Sequence, residues 1–78
     1  MQIDRNNILD IIKNSDANVN YDNIEVGSSL RKSGFDSLDM ANVLLLVEEN
    51  YSIKIPDEDI DKLDSINDIG EYLERKLA

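Results

Sequence analysis

The apolar positions fall mostly at helical spacing. In IDRNNILDIIKNS, residues 3–15, Ile8, Leu9, Ile11 and Ile12 share one side of a 3.6-residue period, with Asp4 placed as an N-cap. Residues 15–36 have no such period. They carry Asn, Asp, Ser and two glycines, Gly27 and Gly34, with apolar anchors expected at Val19, Ile24, Val26 and Leu30. A structureless connection of that length in a small domain is usually functional or crosses over a bundle. A second helix is expected from about Ser37 to about Tyr51. Pro56 and Asp57 open a short third helix, because proline is tolerated at a helix start. The last helix starts at Ser65, where Ser65 and Asp68 have capping-box spacing; Ile66, Ile69, Leu73 and Leu77 form its stripe, flanked by Tyr72. SIKI, residues 52–55, is a weak strand signal too short to require a sheet. The pattern predicts an all-α, four-helix bundle: three main helices, one short helix, and a long loop between the first and second.

The second helix has two apolar sides. At about 100° per residue, Met40, Val43, Leu46 and Val47 gather on one side, with Leu44 and Tyr51 more peripheral. That side should be core. Leu38, Ala41 and Leu45 gather opposite, flanked by Glu48 and Glu49. An edge helix cannot easily bury both sides, so these three are expected to form an exposed strip beside acids, suited to docking. A covering loop, or leucines exposed without consequence, is the alternative.

Composition narrows the chemistry. The 78 residues predict one domain, 1–78. There is no cysteine and no histidine, so the chain has no thiol and lacks the commonest general base and metal ligand. A hydrolase built on a serine here would have no histidine to activate it. The net charge of −9 argues against nucleic acid and for basic protein partners. Residues 35–64 hold nine acids and two bases, so the charge is concentrated on the second and third helices. The beginning MQIDRNN lacks a signal pattern and no apolar run reaches spanning length, so a soluble, cytoplasmic monomer without membrane insertion is expected. Asp57, Asp59 and Asp61 alternate like the start of a calcium loop. Lys62, Asp64 and Asp68 then stand where glycine, an apolar residue and a bidentate glutamate are needed, so no metal site is expected.

The candidate chemistry lies in GFDSLDM, residues 34–40. Asp36 can cap the second helix, with Asp39 at its third position. Ser37 then falls at the first helical position, with its hydroxyl free for solvent, and a phosphodiester there would sit at a helix N-terminus. A plain capping serine is the alternative that one serine leaves open. The surrounding residues add to this. DSLD at 36–39, EENY at 48–51, IPDED at 55–59 and the capped last helix together resemble an acyl carrier protein, over nearly the whole chain.

The resemblance implies that Ser37 carries 4′-phosphopantetheine, transferred from coenzyme A by a phosphopantetheinyl transferase, with Asp36 and Leu38 beside the attachment point. Its thiol would hold acyl groups as thioesters for acyl-loading, elongating or transferring enzymes in fatty acid, polyketide or related biosynthesis. The chain would be a carrier and not an enzyme. Asp36, Leu38, Asp39, Ala41, Asn42, Leu45, Glu48 and Glu49 would meet basic patches on those partners. Leu30, Val47, Ile60, Leu63 and Ile69 would shelter an acyl chain, or form ordinary core. Three positions depart from the family's usual pattern. Asn42 stands where the family often has Glu, which narrows or changes the partner set. Ser33 and Phe35 replace a leucine and an alanine, and GFDS is closer to polyketide-type and other specialised carriers. An unmodified helical interaction module is the second reading.

Overall fold

The computed structural model describes residues 2–15, 17 and 19–77, and all regular structure among them is helical. Helix α1 spans Arg5–Lys13, α2 Ser37–Tyr51, α3 Asp57–Ile60 and α4 Ile66–Leu77, with one 3₁₀ turn at Tyr21–Asn23. This is the expected bundle with its long first connection. The SIKI segment begins with a turn at Ser52 and forms no ladder among the described residues. No helix among them is long and apolar enough to cross a membrane.

Helices α1, α2 and α4 begin where a side chain takes up free N–H groups, whereas α3 begins at Pro56 with no side-chain cap. The Asp4 carboxylate accepts from the Asn6 N–H at 2.9 Å and starts α1. Ile8, Ile11 and Ile12 are its buried face, and α1 packs on both α2 and α4. Helix α2 stops at Ser52, which takes the left-handed conformation, φ 55°. At α4, the Ser65 hydroxyl accepts from the Asp68 N–H at 3.0 Å. The reciprocal bond is shifted by one residue. The Asp68 carboxylate takes the Asp64 N–H, not that of Ser65, and the helix proper begins at Ile66.

The core differs from the wheel in detail. Met40, Val43, Leu44 and Val47 are fully buried, whereas Leu46 and Tyr51 are only half-buried. Leu46 lies at the seam between α1 and α2, so Leu44 takes the inner place expected of it. In the connection, Ile24, Leu30 and Phe35 are buried and Val19 half-buried. Val26 is 45% exposed. It anchors through its backbone: its carbonyl accepts the Asn67 N–H at 2.9 Å.

Two polar clusters fasten the outer segments. Asp64 holds the connection: its carbonyl accepts the Leu30 N–H, and its carboxylate accepts the Ser29 hydroxyl and both the N–H and guanidinium of Arg31, each Arg31 bond at 3.1 Å. Burial pushes the Asp64 carboxyl up, but these donors together outweigh it and hold the group below the usual aspartate range. Arg5 holds the N-terminal segment to α4. Its guanidinium donates to the Ile3 carbonyl at 2.9 Å and to Glu74 at 3.2 Å, while its Nε donates to Asn67 at 3.3 Å. It lies directly over Gly70, where a Cβ would collide with it. That close approach explains a glycine inside a helix, where it otherwise costs about 1 kcal/mol.

The four-residue α3 has no buried residue. It is tied to α4 by Tyr72, whose hydroxyl donates to Asp59 at 2.9 Å. Burial and the Asp59 carboxylate push the Tyr72 hydroxyl up to about 12. Asp59 also faces Lys62 at 3.9 Å. The Asp57–Asp61 run is thus a short helical turn in which Asp59 is engaged by Tyr72.

Candidate functional site

The start of α2 is set by the three residues before it. Gly34 has φ 113°, a conformation that side chains rarely adopt, and a Cβ there would lie 3.2 Å from a Val19 methyl. Phe35 turns inward, 2% exposed, with its ring edge-on to Tyr21 at a centroid distance of 6.4 Å. The chain then emerges at Asp36, which is exposed.

Asp36 and Asp39 close a reciprocal box. The Asp36 carboxylate accepts the Asp39 N–H at 2.8 Å, and the Asp39 carboxylate accepts the Asp36 N–H at 3.1 Å. The Met40 N–H bonds the Asp36 carbonyl at 2.9 Å. That leaves the N–H groups of Ser37 and Leu38 without an acceptor in the helix. Ser37 is exposed at the first helical position, and its hydroxyl makes no hydrogen bond to any described residue. The capping work falls to Asp36, so Ser37 is structurally spare. An exposed hydroxyl beside two open N–H groups at the positive end of a fifteen-residue helix suits a phosphate ester. The site fits phosphopantetheine on these grounds.

The strip beside it stands clear of the core. Leu38 is 70% and Leu45 52% exposed, and Ala41, Asn42 and Glu49 are also exposed. Asp39 is half-buried in its capping role. Glu48 has a second occupation that its place beside the strip does not suggest. Its carboxylate accepts the Ile55 N–H at 2.7 Å and so ties down the segment after α2. A shallow cleft of about 230 Å³ lies at the Leu45 end of the strip, where Ile53 and Lys54 join Leu45, Glu48 and Glu49 in lining it. Sequence pattern did not single out Ile53 and Lys54, which lie outside the helix whose period was read.

The five residues considered for acyl shelter are mostly closed core. Leu30, Val47 and Ile69 are fully buried and Leu63 is 3% exposed, while Ile60 is half-buried. Leu63 reaches a cleft of about 310 Å³ between α3 and α4, whose walls include Asp59, Lys62, Glu71 and Arg75. That cleft is polar and does not open onto the other four.

Residues 8–73 match the family described as the phosphopantetheine attachment site. The chain is 44% identical over 43 residues to an acyl carrier protein of Bdellovibrio bacteriovorus, covering 55% of each chain. It is 34% identical over 58 residues to an acyl carrier protein of Wolinella succinogenes, covering 73% of this chain and 76% of that one. A mitochondrial acyl carrier protein of Dictyostelium discoideum is 42% identical over 48 residues, covering 62% of this chain and 40% of that protein. The chain thus spans about half the length of several relatives it matches. The prosthetic group that goes with the family is 4′-phosphopantetheine. With the match running from α1 through most of α4, and with the spare serine at the head of α2, this chain belongs to the acyl carrier protein family.

Proposed function

We propose that this protein carries 4′-phosphopantetheine on Ser37 and presents acyl groups to successive biosynthetic enzymes, without being an enzyme itself. The observation that carries the reading is the division of labour at the head of α2, where Asp36 caps the helix and Ser37 is left exposed. When bound, the group supplies a terminal thiol that holds acyl groups as thioesters. The chain supplies the rest. Its open N–H groups at Ser37 and Leu38 favour the phosphate. One oxygen of Asp36 and one of Asp39 are engaged in the cap and the chain has no histidine, so this reading assigns the proton of the Ser37 hydroxyl to a base on the transferase.

Leu38, Ala41 and Leu45 give partners an apolar contact beside Ser37. Asp36, Asp39, Glu48 and Glu49 steer their basic patches to it, with Asn42 leaving one flank uncharged. Leu30, Val47, Ile60, Leu63 and Ile69 shelter a cargo chain only if α3 shifts, since the interior is closed. We place the protein in the cytoplasm on the same footing: two of the relatives above are bacterial, while the third is named as mitochondrial.

The test uses the absence of cysteine. The chain is incubated with coenzyme A, magnesium and a broad-specificity phosphopantetheinyl transferase, desalted, and titrated with a thiol reagent. The expected result is a thiol where the untreated chain has none. A bare chain that stays thiol-free would return the protein to the reading of an unmodified interaction module.

A further inference from the structure

The flank of α2 that turns toward α1 differs from the acidic flank. Two clefts follow the seam between these helices. One, of about 270 Å³, is lined by Asn14, Ser15, Asn42, Leu45 and Leu46. The other, of about 440 Å³, shares Asn14 and Leu46 with it and continues past Asn7 toward Asn50. Leu45 also lines the cleft beside Glu48 and Glu49, so the seam and the acidic end of the strip meet at that residue.

The chemistry of the seam is neutral. Among the described residues, Asp10 is the one charged residue lining either cleft, on a chain of net charge −9. Asn50 is engaged, since its side-chain amide donates to the Leu46 carbonyl at 2.8 Å. The carboxamides of Asn7, Asn14 and Asn42 are exposed and make no hydrogen bond to any described residue. A free carboxamide both donates and accepts, so it pairs with a peptide main chain or a neutral polar side chain without needing a charge. Half-buried Leu46 and exposed Leu45 add apolar area between the amides.

We infer that this seam is a second part of the docking surface and that it takes an uncharged, hydrogen-bonding polypeptide segment of the enzyme that modifies Ser37. The inference rests on the carrier reading. Asn42 lies five residues from Ser37, about 7.5 Å along the helix. A partner contacting roughly 800 Å² of this surface while reaching the Ser37 hydroxyl covers Asn42, and Asn14 across the seam from it. Such a partner meets the protein in two ways. Its cations face Asp39 and Glu49, and a neutral segment lies on Asn14 and Asn42. The first contact is screened by salt and the second is not.

The experiment measures affinity between the phosphopantetheinyl transferase and the unmodified native chain, at low and high salt, beside three variants. Asn14→Ala/Asn42→Ala is expected to bind about tenfold more weakly at both salt concentrations, the scale of two neutral hydrogen bonds. Glu49→Gln is expected to lose affinity at low salt alone. Asn14→Asp/Asn42→Asp is expected to bind more weakly than native. Native-like binding of the alanine variant at both salts would overturn the inference. So would tighter low-salt binding of the aspartate variant, because that would assign the seam to cations. Uptake of phosphopantetheine by the native chain is read in the same samples. If the native chain takes up nothing, the carrier reading falls and this inference with it. If it is modified and the alanine variant binds as native does, the seam alone falls.

Discussion

Replacing Asp36 by alanine separates the two roles at the head of α2. The substitution removes the acceptor of the Asp39 N–H, a bond of 2.8 Å, while the main-chain N–H of residue 36 can still donate to the Asp39 carboxylate. Loss of an N-cap aspartate costs about 1 kcal/mol, within a range of about 0.5–2. In a domain of this size that lowers Tm by about 4–8 °C. Ser37→Ala removes a hydroxyl that bonds no described residue, and alanine is the better helix former, so its stability should stay within about 0.5 kcal/mol of native. Asp36→Asn retains a capping oxygen and should recover most of the loss. Thermal melts followed by circular dichroism on the four proteins give the comparison. If Ser37→Ala loses as much stability as Asp36→Ala, the hydroxyl is a cap and the argument that it is spare is wrong.

Other substitutions test the fastenings of the fold. Gly70→Ala should destabilise the native chain by displacing Arg5, yet stabilise an Arg5→Ala chain by up to about 1 kcal/mol, a change of sign readable in urea melts. Glu48→Gln should cost about 1 kcal/mol by weakening the bond to the Ile55 N–H, whereas Glu49→Gln should leave stability unchanged; equal stabilities would remove the structural role of Glu48. Charge reversal at Glu48 should also weaken partner binding in a salt-dependent way, and an unchanged low-salt affinity would count against that flank. Asp64 is held below its unfolded value of about 3.9, so its contribution is present above that pH and is lost as pH falls through the lower native value. Urea melts of native and Asp64→Asn protein should therefore converge as pH drops below about 4, and a constant gap would contradict this.

Most of the helices were legible because their signals are local. Asp4, Asp36 and Ser65 lie within three residues of the N–H groups they accept, and the apolar stripes follow a single period. The connection was less legible, since its anchors are partly backbone bonds to distant residues. Val26 reads as a core residue in sequence, but it is held by its carbonyl, through Asn67. The exchange of Leu44 and Leu46 has a similar origin: a wheel gives angles around α2 but not where α1 stands beside it. Ser37 and the strip Leu38–Ala41–Leu45 emerged from pattern because exposure there follows from the helix period. The second role of Glu48 did not, because its partner Ile55 lies beyond the helix end. Gly70 carried a signal, a glycine within a strong helical stripe, but its partner Arg5 is far away in sequence.

The most direct test of the central claim is intact mass, before and after incubation with coenzyme A, magnesium and the transferase, with Ser37→Ala in parallel. Proteolytic peptides of the product locate any addition. The account predicts a gain of one phosphopantetheine group on the native chain, on the peptide containing Ser37, and none on Ser37→Ala, unless the native chain already carries that group at the start. An equal gain on Ser37→Ala, or a native chain that begins bare and stays bare, would contradict it.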